Sequence, residues 1–193
     1  MADHESEIRA AILAGGSGSR LGGEKAEASL AGRPLITYPL EATLAAGLAP
    51  FVVAKPDSAL PPLDCQVVRE PERPTHPLVG AITALGEAPR GVLLLGCDMP
   101  FLTAELLRWL ASLAPPAMAS VGGRLEPLLG IYDEGAIDPF SAALATEGSL
   151  RGAVESLGPR RIDEEELARF GDPERLVFSV NTQDDLIIAE RLL

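Results

Sequence analysis

The chain has few of the residues that build disulfide frameworks or zinc sites. Its 193 residues include two cysteines, Cys65 and Cys97, and two histidines, His4 and His76, which are scattered rather than grouped in a short motif. Such sparse ligands argue against a structural zinc site. Cys97 falls in an apolar run, where a reduced and buried thiol is the default. A disulfide-free protein of the cytoplasm is therefore the simplest expectation.

The chain also lacks a long hydrophobic run and an excess of basic residues. No apolar stretch reaches the roughly 18 residues that a membrane-spanning helix needs, and the acidic, polar start is unlike a signal peptide. A formal net charge of −12 argues against a nucleic-acid binder, which normally carries a basic face. We therefore expect neither a membrane nor a nucleic acid as partner. With 47% hydrophobic residues, we expect one folded domain over 1–193, with residues 1–6 as a disordered tail.

A glycine-rich, cationic segment is the most informative feature of the sequence. It runs from Leu13 to Lys25, follows an apolar stretch typical of a buried strand, and contains Arg20 and glycines at 15, 16, 18, 22 and 23. Glycine lets the backbone approach a ligand closely, and successive free N–H groups form an anion-binding concavity. The spacing matches neither a Walker A loop nor a dinucleotide-binding fingerprint. The segment therefore indicates a phosphate-binding loop of another kind.

Hydrophobic periodicity predicts strands alternating with helices along most of the chain. We predict strands at 8–13, 51–54, 65–68, 91–97 and 177–180, and helices at 34–46, 77–85, 103–113, 137–145, 150–156 and 183–192. This alternation favours an α/β fold whose mostly parallel sheet is covered on both faces. Two further strands, at 117–121 and 125–132, flank a diglycine turn and predict an antiparallel hairpin, which we expect to add an edge feature.

Asp98 is the first candidate for a metal ligand. It follows the buried strand at 91–97, and ligands of open parallel sheets bind beyond the carboxyl ends of the strands. A carboxylate there, facing a phosphate-binding loop, suits Mg²⁺, which takes hard oxygen ligands from carboxylates, phosphates and water. The alternative is a loop aspartate that is satisfied by backbone donors.

Four other positions are candidates for binding residues, each with a purely structural alternative. Glu70 follows the third strand and can accept hydrogen bonds from N1–H and N2–H₂ of guanine, or it is a solvated loop residue. Arg124 and Pro127 lie on the second arm of the hairpin, where they line an acceptor pocket or belong to an exposed hairpin. Asn181 lies between a predicted strand and the last helix, whose start is predicted by a capping box of Thr182 and Asp185. There it aims its amide into a cleft or forms a turn.

The sequence contains no convincing acid–base pair or activated nucleophile. This absence fits an acceptor that is itself a phosphate, because a phosphate monoester is largely dianionic at pH 7, with a second pKa of about 6. Such an acceptor needs no general base. The reaction needs positioning and charge neutralisation at the attacked phosphorus.

Taken in order, six segments resemble the molybdenum cofactor guanylyltransferase family, MobA. They are Leu-Ala-Gly-Gly-x-x-x-Arg-x-Gly-Gly-x-Lys (13–25), Gly-Arg-Pro-Leu (32–35), Pro-Leu-x-Gly (77–80), Cys-Asp-Met-Pro-Phe-Leu (97–102), Glu-Pro-Leu-x-x-x-Tyr (126–132) and Val-Asn-Thr-x-x-Asp-Leu (180–186). The resemblance implies a Rossmann-like, three-layer nucleotidyltransferase fold. It also implies transfer of GMP from GTP, with Mg²⁺, to the terminal phosphate of molybdopterin, and molybdoenzymes or cofactor-insertion proteins as partners.

The same resemblance implies roles for individual residues. The backbone of Leu13, Ala14, Gly15 and Gly16 would meet the base and ribose. Arg20 and Lys25 would hold the triphosphate and stabilise the transition state, while Asp98 would bind Mg²⁺. Asn181 would help to receive the pterin.

The identity of the nucleotide and of the acceptor has alternatives. Similar cytidylyltransferases usually open with Leu-Ala-Ala-Gly, whereas this chain has Leu-Ala-Gly-Gly at 13–16, which favours guanine. The competing enzymes are a molybdopterin cytidylyltransferase, a phospholactate guanylyltransferase and a sugar-phosphate nucleotidyltransferase. A non-catalytic nucleotide-binding adaptor is the alternative from another class, and the presence of Arg20, Lys25 and Asp98 together argues against it.

Overall fold

The apolar strands pair into one seven-stranded sheet in the computed structural model, which describes residues 8–15 and 25–193. In chain order the strands are β1 Arg9–Leu13, β2 Ser29–Leu30, β3 Arg33–Pro34, β4 Ala49–Ala54, β5 Gln66–Arg69, β6 Val92–Gly96, β7 Ala117–Val121, β8 Arg124–Tyr132 and β9 Arg160–Ile162. The sheet has the order β5-β4-β1-β6-β8-β7-β9, and β2 pairs with β3 in a separate small hairpin. Strands β5, β4, β1 and β6 are mutually parallel, whereas β8 runs antiparallel to β6 and β7.

Helices cover both faces of this sheet, which confirms the predicted three-layer α/β fold. They are α1 Thr37–Ala45, α2 Pro77–Glu87, α3 Ala104–Ala111, α4 Ile137–Ala145, α5 Leu150–Ser156, α6 Glu164–Leu167, α7 Pro173–Leu176 and α8 Gln183–Leu192. Helices α1 and α3 share one hydrophobic cluster with the sheet, and α2, α4 and α5 share the other. None of the helices in the described ranges is long and apolar enough to cross a membrane.

The central strand β6 shows how the sequence places the core. Side chains alternate across a strand, so Leu93 and Leu95 pack with α1 and α3 while Val92 and Leu94 pack with α2 and α4. All four side chains are fully buried. A strand that is buried on both faces reads as a continuous apolar run, which is why the sequence predicted it.

The hairpin forms at the predicted diglycine turn but does not lie at the edge of the sheet. Gly122 and Gly123 have φ values of 57° and 73°, as a tight two-residue hairpin turn requires. The expected edge position is wrong, because β8 pairs with β6 inside the sheet and β9 pairs with β7 at the edge. The sequence did not predict β9, since its three residues, Arg160–Ile162, include two arginines and one buried side chain.

The predicted strand at 177–180 is also wrong. Val180 is buried by insertion between elements rather than by sheet pairing, since it and the partly buried Phe178 pack in a third cluster with Phe101 and Leu186. The Val180 N–H donates to the carbonyl of Asp98 (2.9 Å), beyond the end of β6. The apolar composition of residues 177–180 therefore predicted packing against the core correctly and pairing into the sheet incorrectly.

Helix α1 begins three residues later than the predicted start at residue 34. Arg33–Pro34 instead forms β3, which pairs with Ser29–Leu30. Ala31 and Gly32 form the turn, with φ values of 49° and 77°. Alanine rarely adopts a positive φ, so composition alone gave little signal for this turn.

Candidate active site

Parallel strands bring candidate residues together at one side of the sheet, beyond the carboxyl ends of the strands. Glu70 follows β5 and its N–H still donates to Ala54 O (3.0 Å), while the Cys97 N–H, after β6, donates to Leu13 O (3.3 Å). These bonds continue the parallel ladders one residue past the strands. Glu70, and Asp98 directly after Cys97, therefore stay close to the register of the sheet.

A cavity of about 250 Å³ opens at this edge. It contains five of the residues that the sequence analysis proposed for nucleotide binding, namely Leu13, Gly15, Lys25, Glu70 and Asp98. The other lining residues are Val53, Thr75, His76, Pro77, Gly80, Gly96, Cys97 and Leu128. Gly16 and Arg20 lie outside the described residues.

At one end of the cavity, called here the Asp98 end, Lys25, Asp98 and Asn181 meet. Lys25 begins a short 3₁₀ turn, and its Nζ forms an ion pair with Asp98 and donates to Asn181 Oδ1 (2.7 Å). Gly96 leaves room for the carboxylate, since a Cβ at that position would overlap Asp98 Oδ1. The carboxylate is thus fixed by a cradle and a cation, and it remains 9% exposed to the cavity.

The segment before α8 is tied to this end. The predicted capping box is confirmed, because Thr182 accepts from Asp185 N–H while the Asp185 carboxylate accepts from Thr182 N–H (2.8 Å). The same carboxylate accepts from Asn181 N–H (2.9 Å). Helix α8 therefore positions the amide that contacts Lys25.

Asp98 is the carboxylate at this end that could hold Mg²⁺ jointly with a nucleotide. Among residues 8–15 and 25–193, no group of three or more histidine, cysteine, aspartate or glutamate side chains could hold a metal on its own. Magnesium, however, is usually held by one or two carboxylates together with substrate phosphates and water. A single cradled carboxylate, Asp98, meets that requirement.

The other end of the cavity, called here the Glu70 end, lies beyond β5, three strands away from β6 in the sheet, and contains a buried carboxylate. Glu70 is 4% exposed and lies between Gly15 and Gly80, with Lys55 Nζ 3.3 Å from Oε1. A Cβ at Gly15 would overlap Oε1, and one at Gly80 would come within 2.9 Å of Oε2. Burial raises the pKa of Glu70, and the Lys55 ammonium opposes part of that rise. The alternative of a solvated loop glutamate is therefore wrong.

Three residues at or beside the cavity that were not predicted as site residues are His76, Leu128 and Lys55. His76 is the N-cap of α2, where its Nδ1 accepts from Leu78 N–H (3.2 Å), and proline at the next position is the signal that could have revealed this. Leu128 reaches the cavity from β8. Lys55 follows β4 just as Glu70 follows β5. The rule that ligands bind beyond the carboxyl ends of parallel strands therefore applies to Lys55 as well.

The two hairpin candidates for acceptor binding, Arg124 and Pro127, do not line this cavity. Arg124 is exposed next to the turn, and Pro127 is buried with its carbonyl accepting from the Tyr132 hydroxyl (2.8 Å). Neither residue lines the cavity, whereas their neighbour Leu128 does. Asn181 reaches the site through Lys25.

Comparison with known proteins shows the family to which this chain belongs. The model of the MobA-like NTP transferase domain matches residues 10–162. A molybdenum cofactor guanylyltransferase of Cereibacter sphaeroides is 33% identical over 192 residues, which cover 94% of this chain and 95% of that protein.

Solved structures agree with this assignment. The molybdopterin-guanine dinucleotide biosynthesis protein A of Archaeoglobus fulgidus superposes with a TM-score of 0.78 at 25% identity, covering 96% of this chain and 98% of the other. The 2-C-methyl-D-erythritol 4-phosphate cytidylyltransferase of Thermus thermophilus superposes with a TM-score of 0.65 at 19% identity, covering 96% and 98% of the two chains. The second likeness supports the fold alone.

Proposed function

Because the chain belongs to the MobA-like NTP transferase family, we propose that it transfers GMP from GTP to the terminal phosphate of a molybdopterin-type acceptor. The products are the guanine dinucleotide form of the acceptor and pyrophosphate. One observation carries the proposal: a single cavity has a cradled carboxylate at each end, one paired with the phosphate-binding candidate Lys25 and the other buried between two glycines.

The Glu70 end suits guanine. Guanine presents two adjacent donors, N1–H and N2–H₂, and an ionised carboxylate offers two acceptor oxygens. Cytosine and adenine each present a ring-nitrogen acceptor beside their amino group. That acceptor would face a carboxylate oxygen, which is also an acceptor, and the two would repel each other. The narrow space between Gly15 and Gly80 fixes Glu70, so the preference arises from a preset acceptor rather than from a mobile side chain.

The Asp98 end suits the phosphates. An oxygen of the acceptor phosphate attacks the α-phosphorus of GTP, and the bond from that phosphorus to the β-bridging oxygen breaks. Pyrophosphate leaves with the bonding electron pair, and no proton needs to be removed from a dianionic acceptor. The Lys25 ammonium stabilises the negative charge that develops on the phosphate oxygens.

Asp98 would hold Mg²⁺ together with phosphate oxygens. Bound there, the ion would neutralise charge on the triphosphate, which is the main requirement of phosphoryl-type transfer. The ion pair between Lys25 and Asp98 supports this role, because it holds a cation and a carboxylate side by side at one end of the cavity.

Pyrophosphate release tests the proposal directly. The purified protein is incubated with Mg²⁺, molybdopterin cofactor and GTP, CTP or ATP in parallel, and pyrophosphate is measured with and without acceptor. We expect acceptor-dependent release with GTP and little with the other two nucleotides. Selective turnover of CTP would instead identify a cytidylyltransferase. Nucleotide binding without release would favour another acceptor or the adaptor alternative.

A further inference from the structure

The chain contains only two lysines, Lys25 and Lys55, and both pair with a carboxylate that lines the cavity. The proposed chemistry uses Lys25 and leaves Lys55 without a role. Lys55 directly follows β4, and its side chain is almost completely buried. A buried ammonium is costly unless it is paired and hydrogen-bonded, so its partners indicate what it does.

Lys55 Nζ is fully engaged by the protein itself. It donates to Pro71 O (2.6 Å) and Pro74 O (3.1 Å) and lies 3.3 Å from Glu70 Oε1. These three acceptors match the three hydrogens of an ammonium group. Lys55 is therefore placed to organise its neighbours rather than to contact a nucleotide.

The neighbours that Lys55 organises form the Glu70 end of the cavity. Glu70 is the carboxylate held between Gly15 and Gly80. The segment from Pro71 to Pro74 leads directly into Thr75 and His76, which line the cavity, and His76 is the N-cap of α2. One ammonium thus joins the Glu70 carboxylate to the segment that leads into the adjacent wall of the cavity.

We propose that Lys55 is the positioning residue that makes this cavity selective for guanine. It holds Glu70 in its ionised form and fixes the Pro71–Pro74 segment, so that both carboxylate oxygens stay in place for N1–H and N2–H₂. This inference rests on the proposed function, since it assumes that guanine binds at Glu70. Lysine suits the position because three acceptors converge on one point, whereas the planar guanidinium of arginine spreads its donors.

The test is a double-mutant cycle read out as nucleotide affinity. Affinities for GTP and inosine triphosphate, which lacks the 2-amino group, are measured by calorimetry in wild type, Lys55→Met, Glu70→Gln and the double variant. Wild type should prefer GTP by about 10–100-fold, the value of one hydrogen bond to a charged acceptor. Lys55→Met should reduce this preference toward unity in the wild-type background and leave it unchanged in the Glu70→Gln background. Equal changes in both backgrounds, or none in either, would overturn the proposal.

Controls separate positioning from general stability. Arg69→Met removes a neighbouring cation that donates to Lys55 O (2.7 Å) and sits on an exposed position, so it should leave the GTP preference intact. If Lys55→Met does not fold, Lys55→Gln repeats the cycle, since it removes the charge but can still donate to a loop carbonyl.

Failure of the proposed function has a different signature. Wild type would then fail to prefer GTP over CTP, ATP and inosine triphosphate before any variant is made, and this result would overturn both proposals. A selective wild type whose Lys55→Met variant keeps its preference would overturn the Lys55 proposal alone.

Discussion

The two ends of the cavity hold their carboxylates in different ways. At the Asp98 end, Lys25 joins residues distant in sequence, Asp98 and Asn181, and the acid retains some exposure. At the Glu70 end, the acid is more deeply buried, between two glycines and beside a lysine whose other partners are backbone carbonyls.

This difference indicates separate roles for the two ends of the cavity. The Lys25 ammonium contacts only side chains, Asp98 and Asn181, and can exchange them for phosphate oxygens. Such an exchange suits a site where phosphates and a metal arrive and pyrophosphate leaves. Backbone partners and close-packed glycines keep one arrangement, which suits recognition of a base. Changes at the Asp98 end should therefore affect turnover, and changes at the Glu70 end should affect which nucleotide binds.

The largest effect is expected from Lys25→Ala and Asp98→Ala. Each should lower kcat by about 10²–10³-fold, the usual cost of removing one preorganised charge-stabilising group. Thermal unfolding should show little loss of stability, since the pair is partly exposed. Arg33→Ala, which breaks the exposed ion pair with Glu41, is the matched control and should leave kcat unchanged. Normal turnover by both site variants would mean that the chemistry occurs elsewhere.

A pair of glycine substitutions on α2 tests the Glu70 end. The Cβ of Gly80→Ala would come within 2.9 Å of Glu70 Oε2, whereas the Cβ of Gly86→Ala would meet nothing within 4 Å. We expect Gly80→Ala to raise the KM for GTP by about 10–100-fold through loss of hydrogen bonds to a charged acceptor. Gly86→Ala should leave KM unchanged and stabilise the helix by about 0.5–1 kcal/mol. Equal KM values for the two variants would contradict a preset Glu70.

The pH dependence of GTP binding should report Glu70. Its carboxylate accepts from guanine only when ionised, so affinity is present above its pKa and lost as the pH falls through it. Because burial raises that pKa, the loss should begin above the ordinary range of a glutamate and approach about tenfold per pH unit. Lys55 pairs with Glu70, and Lys25, His76 and Asp98 also line the cavity, so Glu70→Gln is the control that should remove this step.

A smaller effect is expected from Asn181→Ala. It removes the acceptor that holds Lys25 Nζ at 2.7 Å, so kcat should fall by about tenfold while the KM for GTP changes little. Ser179→Ala is the control, because it keeps the backbone carbonyl that accepts from Asn181 Nδ2 (3.1 Å). A rise in the KM for the acceptor without a change in kcat would instead support the predicted pterin contact of Asn181.

Much of the fold and of the Asp98 end could be predicted from the sequence. The apolar run of β6 indicated a strand buried on both faces, and the rule for strand ends then predicted that Asp98 lies beyond its carboxyl end, where it lines the cavity. The capping box at Thr182 and Asp185 located the start of α8 from local chemistry alone. These predictions succeeded because each rests on interactions between residues close in sequence or on strand direction.

Features set by long-range packing could not be predicted. The segment at 177–180 has the composition of a strand, yet insertion beside Phe101 buries it. Strand β9 is too short and too basic to be recognised without its partner β7. The burial of Glu70 depends on Gly15, Lys55 and Gly80, which are brought together only by the sheet and α2. The same residue in isolation resembles any loop glutamate.

The most direct test of these separate roles is to rank nucleotide affinities in two variants. Calorimetry with GTP, CTP and ATP in the presence of Mg²⁺ is carried out on wild type, Asp98→Asn and Glu70→Gln. We predict that Asp98→Asn weakens all three nucleotides similarly and keeps GTP first, whereas Glu70→Gln removes the preference for GTP. An altered ranking in Asp98→Asn, or an unaltered ranking in Glu70→Gln, would contradict separate roles for the two ends.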